Sequence, residues 1–96
     1  MIVVKTDTEI FLNVVEFEAF DGRSEKVGSH DICIEGPGLY IHLADRDYHY
    51  PAIYCDVEKA KEMLSDIARA ISLYLVSSDV LVLEIHDGKI IHLDGM

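Results

Sequence analysis

Apolar positions in this chain follow two periods, and the change of period divides it. From Asp56 to Val76 (DVEKAKEMLSDIARAISLYLV), Val57, Ala60, Leu64, Ile67, Ile71 and Tyr74 recur at steps of three and four. That spacing makes one stripe of an amphipathic helix. Glu58, Lys61, Glu62, Ser65, Asp66, Arg69 and Ser72 fall on the opposite side. Asp56 stands where a carboxylate caps the first turn, and Glu58 where the helix dipole favours negative charge. On both sides of the helix the period drops to two.

Residues 2–5 (IVVK) read as a short strand and residues 10–20 (IFLNVVEFEAF) as a second, with Val15, Phe17 and Ala19 alternating with Glu16 and Glu18. The alternation blurs at Phe11-Leu12-Asn13-Val14, so a break or bulge is expected near Asn13. Asp21-Gly22 is a turn, the polar stretch 23–30 a loose segment, 31–35 (DICIE) a strand, and Gly36-Pro37-Gly38 a stop.

A hairpin over residues 39–52 has a register that can be derived. A loop centred on Asp45-Arg46 sets Leu43 opposite Tyr48 and Ile41 opposite Tyr50, which puts Leu39, Ile41, Leu43, Tyr48 and Tyr50 on one face. Tyr40, His42, Asp47 and His49 share the other, and Pro51 marks an edge strand or a break. After Ser77-Ser78-Asp79, a strand over 80–85 and the return 89–93 flank Asp87-Gly88, a strong hairpin signal. The expected architecture is α+β: one domain over 1–96, an antiparallel sheet packed on one face by a single helix, about 56–76, and a C-terminal hairpin, about 80–93.

The 96 residues are half hydrophobic, which indicates a globular chain, and they carry a formal net charge of −10. Residues 1–38 hold eight acids against three bases, −5 of that total, while the helix is nearly neutral. Such a field opposes nucleic acid and anionic membrane and favours a basic protein partner or simple solubility. No apolar run approaches the roughly 20 residues of a membrane span. The opening MIVVKTDTE has too short an apolar stretch for a signal peptide, so a cytoplasmic location and reduced Cys33 and Cys55 are expected.

Nothing matches GxGxxG, a P-loop, GxSxG or HExxH; no enzymatic activity and no cofactor are expected. The strongest metal candidate is His42 with His49, whose Cβ atoms would lie about 5 Å apart across the hairpin, with Asp47 as a third ligand. A solvated cross-strand histidine pair is the simpler account. His86 and His92 fall on opposite faces of their hairpin. His30-Asp31-x-Cys33 has the residue types of an activated thiol, but Ile32 and Ile34 suggest a core cysteine. Cys55 reads as a buried strand end.

The acidic excess points to a partner surface made of Glu9, Glu16, Glu18, Asp21, Glu25, Asp31 and Glu35, with Tyr40 as an aromatic anchor. The final hairpin is apolar on both faces, so it is either central in the sheet or a homodimer contact through Val80, Val82, Ile91 and Leu93.

The opening MIVVKTDTE and the later YHYPAIYCDVEKAKEMLSDI resemble small uncharacterised proteins of bacteriophages and Gram-positive mobile elements. Those have a short first strand and a tyrosine-bearing strand that runs into one helix. Segment 21–38 and hairpin 80–93 depart from that pattern. The group has no assigned activity, so no functional residue carries over. The resemblance implies a phage setting, in which an acidic protein would serve as inhibitor of a host nucleic-acid enzyme, its carboxylates taking the place of phosphates.

Overall fold

The computed structural model describes residues 1–74 and 79–93. In chain order the elements are β1 (Ile2–Lys5), β2 (Ile10–Phe11), β3 (Val14–Phe20), β4 (Arg23–Val27), β5 (His30–Glu35), β6 (Gly38–Leu43), β7 (His49–Tyr54), α1 (Val57–Tyr74), β8 (Leu81–His86) and β9 (Lys89–Leu93). They form an α+β structure with a single helix against the strands and a hairpin at the C-terminal end. The strands divide into a four-stranded sheet, β2-β1-β8-β9, a three-stranded sheet, β3-β6-β7, and the separate pair β4-β5. Every pairing is antiparallel except β1 with β8, which run parallel with Val4 beside Leu83. Among the described residues, no helix is long and apolar enough to cross a membrane.

One core joins the helix to both larger sheets. Val4, Phe11, Leu81, Leu83 and Ile85 meet Val14, Leu39 and Ile41 around Ala60, Met63, Ile67 and Ala70. The helix starts where Asp56 Oδ1 accepts the Lys59 N–H at 2.8 Å, the expected cap. Its buried line runs through Met63 and Ala70, with Leu64 and Ile71 only half-buried. The stripe is thus rotated slightly from the one the largest apolar residues suggest. Residues 75 and 76 and the Ser77-Ser78 break lie outside the described residues, and Tyr74 is described at its backbone alone.

Asn13 takes a φ of 56° and accepts the Ala44 N–H at its carbonyl oxygen, at 3.0 Å. Here the chain leaves one sheet for the other, so the expected break is the corner between β2 and β3. The register shift between Val14 and Glu16 turns Val15 outward and gives its core place to Val14. The register of β6 with β7 sets Ile41 against Tyr50 and His42 against His49. Tyr48 corrects the expected pattern: β7 begins one residue later, Leu43 pairs with Val14 instead, and Tyr48 lies exposed with its ring 4.8 Å from that of Tyr50. Pro51 lies on β7, an edge strand, beside a register shift that leaves Ala52 unpaired.

The segment over 23–30, expected as a loose loop, instead builds β4 and the start of β5 around a turn at Gly28, φ 67°. Its strands pair with each other and, among the described residues, with no other strand. Every residue of β4 and five of the six in β5 are exposed; β5 covers the strand expected over 31–35, while β4 has no apolar alternation to mark it. The radius of gyration, 14.5 Å, exceeds the about 12.5 Å expected of a compact chain of this length.

At the C-terminal end, Asp87 (φ 50°) and Gly88 (φ 72°) make the expected turn, with His86 opposite Lys89 and Leu83 opposite His92. β8 is interior to its sheet. It sends Leu81, Leu83 and Ile85 into the core and leaves Val82 half-buried on the outer face. Of the residues expected at a dimer contact, Val80 is half-buried, Ile91 on edge strand β9 is exposed, and Leu93 is described at its backbone alone.

Candidate functional site

The face of the three-stranded sheet opposite the core carries Glu16, Glu18 and Phe20 from β3, Tyr40 and His42 from β6, and His49 from β7. Alternation dictates this, because Phe17, Ala19, Leu39, Ile41 and Tyr50 face the core. His42 and His49 sit directly opposite each other, and Glu18, which pairs with Tyr40, reaches both from one step along the next strand. Its Oε1 lies 3.1 Å from His42 Nε2 and 3.0 Å from His49 Nδ1. The other nitrogen of His49, Nε2, lies 2.7 Å from Glu35 Oε2, and Arg23 Nε donates to Glu35 Oε1 at 3.2 Å. One chain of contacts therefore runs His42–Glu18–His49–Glu35–Arg23.

Aromatic rings hold this chain in place. The His49 ring lies 4.4 Å from that of Tyr40 and 4.9 Å from that of Phe20. Tyr40 is 1% exposed, and its hydroxyl donates to the Gly36 carbonyl oxygen at 2.7 Å. It therefore cannot be the interface anchor expected of it. Phe20 and Tyr54 flank its ring, so a residue on the polar face is nonetheless buried.

Glu18, His42 and His49 are the one group among the described residues in which three possible metal-ligand atoms gather, all within 4.8 Å of one another. Asp47, the expected third member, lies exposed in the β6–β7 loop, and Glu18 takes its place. No sequence spacing marks Glu18, because it arrives through a pairing of β3 with a strand 20 or more residues away. Of the other expected partner residues, Glu16, Asp21, Glu25 and Asp31 are exposed, while Glu9 is exposed in the turn joining β1 to β2. Glu18 and Glu35 are tied to the histidines.

The thiols fit no nucleophile. Cys33 is exposed on the β4–β5 hairpin, not in the core, since that hairpin buries neither face. His30 lies an odd number of residues away on the same strand, hence on the opposite face. Cys55 is half-buried against the core, and burial together with Asp56 pushes its thiol up. His86 pairs with Asp7 at 2.6 Å, away from the other histidines. A hollow of about 230 Å³ lined by Thr6, Asp7, Thr8, Ala52, Ile53, Ile85 and Asp87 shares no residue with the cluster. Comparison of the chain with protein-family models, curated proteins and solved structures returns no match.

These contacts shift the titration of two members of the cluster, Glu18 and His49. The hydrogen bond from His49 holds the Glu18 carboxyl below its ordinary 4.5, against the effect of burial and with help from His42. Burial alone disfavours the His49 cation, but hydrogen bonds to Glu18 and Glu35 and their charges prevail and raise it above 6.5. The stabilisation from His49 is therefore full below about pH 6.5 and lost as pH rises through the folded value. That from Glu18 is present above about pH 4.5 and lost as pH falls through its lowered value. In the difference in unfolding free energy between wild type and His49→Gln, we expect a maximum near pH 5.5, of order 1 kcal/mol because Glu18 is partly solvated. A difference that instead grows steadily toward pH 8.5 would contradict this assignment of charges.

Proposed function

We propose that this is a non-enzymatic interaction protein that presents an acidic surface to a basic protein partner. The observation that carries the reading is the hairpin Arg23–Glu35. A two-stranded hairpin is at best marginally stable alone in water. This one exposes Val27, Ile32 and Ile34 at 58, 44 and 43% on one of its faces, beside Glu25. Asp31 lies on the reverse. An arm of this kind gains from a partner that buries the apolar residues and answers the acids. Charge supports the same reading: the net charge is −10, and Lys5, Arg23, Lys59, Lys61 and Arg69 all contact carboxylates of this chain.

Its sharper form is an inhibitor that offers Glu16, Asp21, Glu25 and Asp31 to the basic cleft of a nucleic-acid enzyme. The broader alternative is an acidic component of an assembly. Affinity capture at low and high salt, with wild type and the triple variant Val27→Ser/Ile32→Ser/Ile34→Ser, tests the proposal. The expected result is a basic protein held by wild type, released by salt, and bound at least roughly tenfold more weakly by the variant. Identical retention by both proteins at both salt concentrations would sink it.

A further inference from the structure

We propose that Glu18, His42 and His49 form a binding site for a divalent transition-metal ion, with zinc as the best fit. Two imidazoles and one carboxylate are a borderline donor set that suits zinc and its neighbours better than magnesium or calcium. A tetrahedral ion with ligand bonds of about 2.0–2.1 Å needs its donor atoms roughly 3.3 Å apart. Glu18 Oε1 is already 3.1 and 3.0 Å from the two ring nitrogens, and all three ligand atoms lie within 4.8 Å. Small rotations of the side chains would complete the set without moving a strand.

Two further features separate this cluster from an ordinary surface contact of histidine with carboxylate. The ligands sit on three adjacent strands, with the His49 ring packed against Tyr40 and Phe20, so little ordering remains to be done. Glu35 holds the His49 nitrogen that points away from Glu18, at 2.7 Å, and Arg23 in turn holds Glu35. A carboxylate on the far nitrogen of a ligating histidine orients the ring and raises its basicity, the common outer arrangement of zinc sites. Glu35 is accordingly a positioning residue. With three protein ligands on the open face of a sheet, the fourth position falls to solvent or to a donor from a partner.

Calorimetric titration of the tag-free full chain with zinc chloride, backed by the visible absorption of the cobalt(II) form, tests the site. The expected result is saturable binding of one zinc per chain, tighter than that of magnesium or calcium, and cobalt bands of a four-coordinate ion. Binding should be lost in His42→Gln, checked as folded by circular dichroism, and weakened about 10–100-fold in Glu35→Gln. Asp47→Asn and His86→Gln should bind as wild type does. Lack of saturable binding by folded wild type would overturn the proposal. So would full retention in His42→Gln, or loss in His86→Gln in place of it.

Discussion

Gly38→Ala is expected to cost about 3 kcal/mol of folding stability, at or above the upper end of the usual penalty for overfilling a packed site. Gly38 begins β6, between Phe20 of β3 and Tyr54 of β7. A Cβ built there falls 2.2 Å from the Ile53 carbonyl oxygen, 3.0 Å from the Tyr54 Cα and 3.1 Å from the Ile53 carbonyl carbon. All three are backbone atoms, so no rotamer can relieve the overlap, and β6 and β7 must separate where they join. The loss is a large part of the roughly 5–15 kcal/mol that holds a domain of this size. Gly28→Ala is the matched control. Its Cβ meets nothing within 4 Å, leaving only the strain of a positive φ, about 1 kcal/mol. Urea denaturation of the two variants gives the comparison, and a Gly38→Ala loss no larger than that of Gly28→Ala would show that the strands do not approach as described.

Tyr40→Ala should cost about 3–5 kcal/mol, the range for a large buried aromatic, although Tyr40 stands on the outer face of its sheet. The phenol is closed in by Phe20, His49 and Tyr54, and its removal opens a cavity beneath the His49 ring. Tyr40→Phe keeps the ring but leaves the Gly36 carbonyl oxygen without its 2.7 Å donor, a loss of about 1 kcal/mol. The two variants therefore separate packing from hydrogen bonding. Thermal and urea unfolding would measure both, and a Tyr40→Ala protein within 1 kcal/mol of wild type would place Tyr40 at the surface after all.

What could be read from the sequence was local. His42 opposite His49, Ile41 opposite Tyr50 and the Asp87-Gly88 turn are fixed by alternation on two strands joined by a short loop. The Asn13 corner showed as a lapse in that alternation. What could not be read came from distant pairing. Glu18 reaches the histidines only because β3 lies beside β6, and nothing in the residues of either strand sets their register. Of the hairpin β4–β5 only the second strand was legible, because RSEKV in β4 has no apolar alternation to detect. Tyr40 shares a face with His42 and so reads as exposed, until Phe20 and Tyr54 are seen to cover it. In α1, small Ala70 and flexible Met63 take the centre of the buried line, which size and branching had assigned to Leu64 and Ile71.

The parallel seam between β1 and β8 sets an order of assembly. It joins Ile2 to Leu81, and beside it the terminal ammonium donates to the Asp79 carbonyl oxygen at 2.7 Å. During synthesis β1 precedes β8 by more than 70 residues, so Val3 and Val4 lack this neighbour until residues 81–84 have emerged. The strands β3, β6 and β7, with Glu18, His42 and His49, are complete by residue 54. Contacts of long sequence separation close late. We therefore expect nascent chains to form the histidine cluster while β1, paired with β2 on one side, still lacks β8 on the other, an interval in which a short apolar edge is open to chaperones or to a neighbouring chain on the same polysome.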